Sequence, residues 1–116
     1  MDEDAVILNI LRKVKSFLEA EGFMVSEEGY NLYAEKFESF ETETRENIEN
    51  HIKVTIKAFV YGFYIAVSEN SKIVRRYVDR KETIDEEYFG PMTAYVPLVS
   101  VDDINDVIEA MLSDLP

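Results

Sequence analysis

HIKVTIKAFV, residues 51–60, decides the fold: Ile52, Val54, Ile56, Ala58 and Val60 alternate with His51, Lys53, Thr55, Lys57 and Phe59. A period of two sends successive side chains to opposite faces of an extended chain, so the stretch is predicted to be a strand. Toward the carboxyl end, Tyr61 and Gly62 mark a turn or a bulge, and FYIAVS runs on to a predicted turn at ENS, residues 69–71. KIVRRYVDR (72–80) then forms a further hairpin strand. After an acidic connection, KETIDEEYFGP (81–91), a last strand MTAYVPLV (92–99) carries Pro97, which has no amide hydrogen and therefore belongs at a sheet edge. Toward the amino end, GFMVSEEGYNLYAEKF (22–37) reads as a hairpin turned by Glu28 and Gly29, with Val25 and Phe23 facing Tyr30 and Leu32. Tyr30, Tyr33, Phe37 and Phe40 also fit a helical stripe.

Helices are predicted at both ends. Over residues 3–21, Ile7, Ile10, Leu11, Val14, Phe17 and Leu18 recur at the spacing of a single apolar stripe. Asp2, Glu3 and Asp4 suit the positive end of its dipole, and Gly22 supplies a left-handed residue to close it. Over 100–115, Ile104, Ile108, Met111, Leu112 and Leu115 form a second stripe, opened by a Ser100/Asp103 variant of the capping box. The chain is thus expected to be one α+β domain over residues 1–116. Its architecture would be a two-layer sandwich with an N-terminal helix, a five- or six-stranded mainly antiparallel sheet and a C-terminal helix, both helices on one face.

Composition narrows the chemistry. With 24 Asp and Glu against 12 Lys and Arg, the formal charge of −12 repels phosphate backbones and anionic lipid and attracts basic partners. No cysteine is present, so disulfides, thiol catalysis and cysteine-ligated zinc are excluded. The opening MDEDAVILNILRK carries acid where a secretory leader needs positive charge, and AFVYGFYIAV (58–67) is about half the length of a membrane-spanning helix. A cytoplasmic protein without membrane association is the expectation.

The acidic stretch ESFETETRENIENH (38–51) has five glutamates, one arginine and the only histidine of the chain. His51 has Glu49 and Glu46 nearby but no second histidine, and a strand at 51–60 places it beside Lys53 and Lys57, poor neighbours for a cation. No calcium-loop spacing is visible either. The stretch from 39 to 50 is expected to be a mobile solvated loop without metal, and no cofactor is implied. Asp102, Asp106 and Glu109 read as the charged solvent face of the last helix. No nucleophile elbow or phosphate-cradling glycine loop occurs, and no catalytic residue is assigned.

Two surfaces remain. Lys72, Arg75, Arg76, Arg80 and Lys81 concentrate positive charge around Tyr77, the pattern of a weak single-strand nucleic-acid surface. Against it, alternation sends Arg75 and Arg76 to opposite faces and the net charge opposes polyanions. The second surface is the sheet face turned away from the helices. With Leu32, Ala34, Ile52, Val54, Ile56, Ala58, Ile65, Val67, Val96 and Leu98 facing the helices, the opposite positions hold Tyr33, Phe37, Phe59, Tyr64, Tyr77 and Tyr95. Two helices on one side cannot cover such a face. Unless the segments 38–50 and 81–91 fold over it, it is an aromatic interaction surface. The order of helix, antiparallel sheet and helix in a small acidic chain is similar to that of bacterial type III secretion chaperones, in size, charge and element order over the whole chain. That resemblance implies a protein-binding module. The expected function is therefore non-enzymatic: a domain that binds a protein partner or forms a homodimer through the aromatic face, tuned by acidic loops. The alternative is a small-molecule or metal binder with Asp85, Glu86, Glu87 and Tyr88 lining a pocket beside the 81–91 loop.

Overall fold

In a computed structural model, which describes residues 3–44 and 46–116, the chain runs α1 (Glu3–Ala20), β1 (Met24–Glu28), β2 (Asn31–Glu41), β3 (Glu46–Phe59), β4 (Gly62–Arg76), β5 (Lys81–Pro97), a 3-10 segment (Leu98–Asp103) and α2 (Ile104–Ser113). The five strands form one sheet in the order β1-β2-β3-β4-β5, and each pairs antiparallel with the next. This is the expected α+β order, with β5 and its Pro97 at an edge.

The core follows from the registers. Leu32 lies opposite Ile56, Ala34 opposite Val54, Ile56 opposite Ile65, Val54 opposite Val67 and Phe63 opposite Val96. Leu11, Val14 and Leu18 of α1 and Ile104, Ile108 and Met111 of α2 pack against these rows, so both helices lie on one face of the sheet. Phe23 and Phe63 also belong to this core, so alternation does not place every aromatic residue outside. Gly22, at φ +95°, ends α1: its amide bonds the Glu19 carbonyl at 3.0 Å, and the Phe23 amide reaches back to the Leu18 carbonyl at 3.0 Å. The Asp2 side chain of the expected helix start lies outside the described residues, as do the side chains of Glu3, Asp4 and the expected cap Ser100. Asp103 makes no side-chain capping bond.

Three expected connections are strand. The acidic stretch is not a loop: Glu38 to Glu41 end β2, Glu46 to His51 begin β3, and Glu41 pairs with Asn47. The Thr42 amide and hydroxyl close the hairpin on the Glu46 carbonyl at 2.9 and 2.7 Å. The expected turn at 69–71 is the interior of β4, and the expected connection 81–91 is most of β5. The reason is long-range. A two-residue turn at Val60 and Tyr61 aligns Glu46 with Arg75 and Glu49 with Lys72, so the acids meet bases across the ladder. Arg75 Nη2 donates to Glu46 Oε1 at 2.6 Å, and Lys81 Nζ donates to the Glu49 carboxylate at 2.7 Å.

The molecule is long, 59 × 23 × 19 Å. Helices of 18 and 10 residues reach only about 27 and 15 Å. Strands of 14 to 17 residues reach about 46 to 56 Å. The helices therefore cover one half of their face. The distal half, toward Glu41, Glu46, Arg76 and Lys81, projects beyond them, and within it Val74, opposite Asn47, is nonetheless fully buried. Among the described residues no helix is long and apolar enough to cross a membrane.

Candidate binding surface on the outer sheet face

Alternation within the observed registers assigns the face away from the helices row by row. At the proximal end Phe59 stands beside Gly62, and the next row holds Lys57, Tyr64 and Tyr95. The Phe59 and Tyr64 rings meet edge to face with centroids 6.5 Å apart. A Cβ on Gly62 would stand 2.7 Å from Tyr95 Oη, so glycine is what lets the Tyr95 ring lie across the sheet there. The following rows, Tyr33–Thr55–Ala66–Thr93 and Glu35–Lys53–Ser68, are mostly small and polar. A second aromatic band then crosses four strands: Phe37, His51, Asn70 and Tyr88.

His51 is held in this band from two sides. Its ring stacks on Phe37 at 4.1 Å and 15°, and Nε2 lies 3.3 Å from Glu35 Oε2. On the other flank, Glu86 Oε1 accepts from Tyr88 Oη at 2.7 Å and from Asn70 Nδ2 at 2.9 Å. These bonds, that of Tyr88 first, hold the Glu86 carboxyl below its ordinary range, and the bond to Glu86 pushes the Tyr88 hydroxyl up. Beyond the band lie Glu49, Lys72 and Arg76. The hydrogen bond from Lys81, with the charges of Lys81, Arg76 and Lys72, keeps the Glu49 carboxyl low. Two depressions of ≈ 330 and ≈ 430 Å³ share His51, Asn70 and Lys72 and so form one trough across the strands.

Five of the six aromatic residues expected on this face are on it: Tyr33, Phe37, Phe59, Tyr64 and Tyr95. Phe37 is 62% exposed, Phe59 54% and Tyr95 51%. Tyr77 is the exception. It follows β4 in the distal turn, where its amide bonds the Arg80 carbonyl at 2.8 Å and its ring lies 4.7 Å from the Arg80 guanidinium. The basic patch disperses: Lys72 and Arg76 face outward, Arg75 binds Glu46 on the helix side, and Arg80 is at the tip. Asp85 and Glu87 point to the helix side and Glu86 and Tyr88 to the outer side, so the four do not converge. Of the carboxylates near His51, Glu49 shares its face and Glu46 does not. Among the described residues no group of three His, Asp or Glu gathers as metal ligands. Asp102, Asp106 and Glu109 are exposed.

The residue that sequence reasoning missed is Asn70, because its segment was read as a turn; Tyr88, expected to line a pocket beside a loop at 81–91, instead stands in the outer band on β5. The available signal was the turn at 60–61, which carries the pairing out to residue 75 once both strands are extended. No family model, no curated protein and no solved structure matches this chain.

Proposed function

We propose that the chain is a protein-binding module whose outer sheet face receives an apolar segment of a partner protein. The observation that carries this reading is that the segments 38–50 and 81–91 extend the sheet and do not fold over it, leaving Phe37, Phe59 and Tyr95 half or more exposed. Exposed aromatics in two bands, with Lys57 in the proximal band and Lys53 between the two, are the composition of an interaction surface. On this face Lys53, Lys57, Lys72, Arg76 and Lys81 are matched by Glu28, Glu35, Glu41, Glu49 and Glu86, so it is close to neutral within an acidic protein and its aromatic bands are what an apolar partner segment would meet. A homodimer fits less well, because two copies carry a net charge of −12 each.

The test compares the wild type with Phe37→Ser, Phe59→Ser and Tyr95→Ser in affinity capture from the source cell, read by cross-linking mass spectrometry with solution mass in parallel. Cross-links to one partner from Lys53 and Lys57, lost in the variants while their melting temperatures stay near the wild type, support the reading. Capture unchanged in all three variants, or a wild-type monomer that captures nothing, overturns it.

A further inference from the structure

A third depression lies on the opposite face, where the C-terminal ends of both helices stop and the distal sheet begins. It has a volume of ≈ 370 Å³, within the range that holds a small molecule. Phe23, Phe40, Leu112 and Leu115 supply apolar walls, and Glu38, Asn50 and Glu69 supply polar groups from three adjacent strands. Register explains the convergence. Glu38 lies opposite Asn50, and Glu69 lies opposite Ile52, one diagonal step from Asn50 on the same face.

Glu69 is only 6% exposed, and among the described residues its carboxylate has no hydrogen bond and no ion pair. Asn50 Oδ1 is buried without a donor. An isolated carboxylate in such a place is costly to keep unless something supplies charge and donors. Desolvation, and then the nearby Glu38 charge, push the Glu69 carboxyl above its ordinary value of 4.5, and no cation offsets them. The other charged groups lining the groove are Glu21 after α1 and Lys36 on β2; Lys36 is already 3.1 Å from Glu38. The two helix C-termini add the negative ends of their dipoles.

We propose that this groove binds a primary alkylammonium: the ammonium donates its three hydrogens to Glu69, Glu38 and Asn50 Oδ1, and the hydrocarbon body lies on Phe40, Leu112 and Leu115. Three acceptors match the three donors of an –NH₃⁺ group, which has no acceptor of its own. An anionic ligand would meet two carboxylates, and a neutral one would leave Glu69 without a counter-charge. Binding in turn favours ionised Glu69, so saturation lowers its titration midpoint. Register puts the side chains of the site on the helix side; Glu38, Asn50 and Glu69 also border the two outer depressions, but the site uses none of Phe37, Phe59 and Tyr95, so its failure leaves the outer-face reading untouched.

The test is titration of the full chain with n-hexylamine, 1-hexanol and hexanoate at pH 7, followed by NMR. Saturable binding of hexylamine, with shifts at Asn50, Glu69 and Leu112, is expected, with hexanol roughly tenfold weaker or more and hexanoate absent. Glu69→Gln, which keeps the shape, is expected to weaken hexylamine roughly tenfold or more, and Glu38→Gln, on the rim, to weaken it also. The carboxyl-carbon titration of Glu69 moves to lower pH when hexylamine saturates the wild type. No saturable amine binding, hexanol as tight as hexylamine, or unchanged affinity in Glu38→Gln and Glu69→Gln overturns the proposal.

Discussion

The proximal and distal halves of the same strands are held together by different means. Within β3, Ile52, Val54 and Ile56 are buried under two helices, whereas Glu46 and Ile48, on the same face, lie beyond them. The proximal half gains its stability from apolar area removed from water. The distal half has cross-strand pairs in its place: Glu46 with Arg75, Glu49 with Arg76 and Lys81, and Phe40 opposite Ile48. Since exposed ion pairs contribute little, the distal half stays folded chiefly because its backbone continues a ladder nucleated under the helices. That division leaves the aromatic bands of the outer face and the distal end of the inner face open to partners, although Val74 on the outer face is fully buried.

The comparison breaks most visibly under truncation of the proximal half. Phe63→Ala and Ile56→Ala leave cavities beneath α1 and α2 and are expected to cost about 2 to 5 kcal/mol in chemical denaturation. Glu69 sits at the boundary and has the opposite sign. Replacing its unpartnered carboxylate by leucine is expected to stabilise the fold by about 1 kcal/mol or more. Because its folded pKa is raised above 4.5, its stabilising contribution is full below that pH and is lost as pH rises through the raised value. The wild type should therefore lose stability relative to Glu69→Gln over that window, as read by urea midpoints at stepped pH.

In the distal half the same measurements should move little. Glu49→Gln removes the acceptor of Lys81 and Arg76 and is expected to cost under about 1 kcal/mol, since both partners are in water. The Glu49 carboxyl is depressed, so its contribution is present above pH 4.5 and is lost as pH falls through the depressed value, the reverse of Glu69. Smallest of all, Phe37→Ser loses the stack on His51, about 0.2 to 1 kcal/mol for a cross-strand pair. A cost near that of Ile56→Ala would mean that this face is internal.

The same division explains what the sequence made legible. The helix stripes, the strand over 51–59 (Val60, expected in it, is in the turn), the hairpin at Gly29 and the edge role of Pro97 were readable because each is recorded within a few residues as a period or a missing amide. The distal half was not readable that way. Glu46 and Arg75 are 29 positions apart, and only the ladder between them makes ESFETETRENIENH a pair of strands where composition suggests a solvated loop. Glu69 was hidden by the same error: read as a turn residue it is ordinary, and within a strand it is a buried carboxylate. The outer aromatic set was legible except Tyr77, because β4 ends at Arg76 and alternation has no meaning beyond it.

Amide hydrogen exchange along β3 and β4 tests the central claim, that the sheet runs through the acidic stretch and leaves its outer face bare. Both strands are paired on each side, so protection is expected at residues 47–58 and 63–74, highest at 52–58 beneath the helices and lower but well above free-chain rates at 47–50 and 69–73. Exchange at free-chain rates over 47–50 and 69–73 would return these segments to loops and contradict the account.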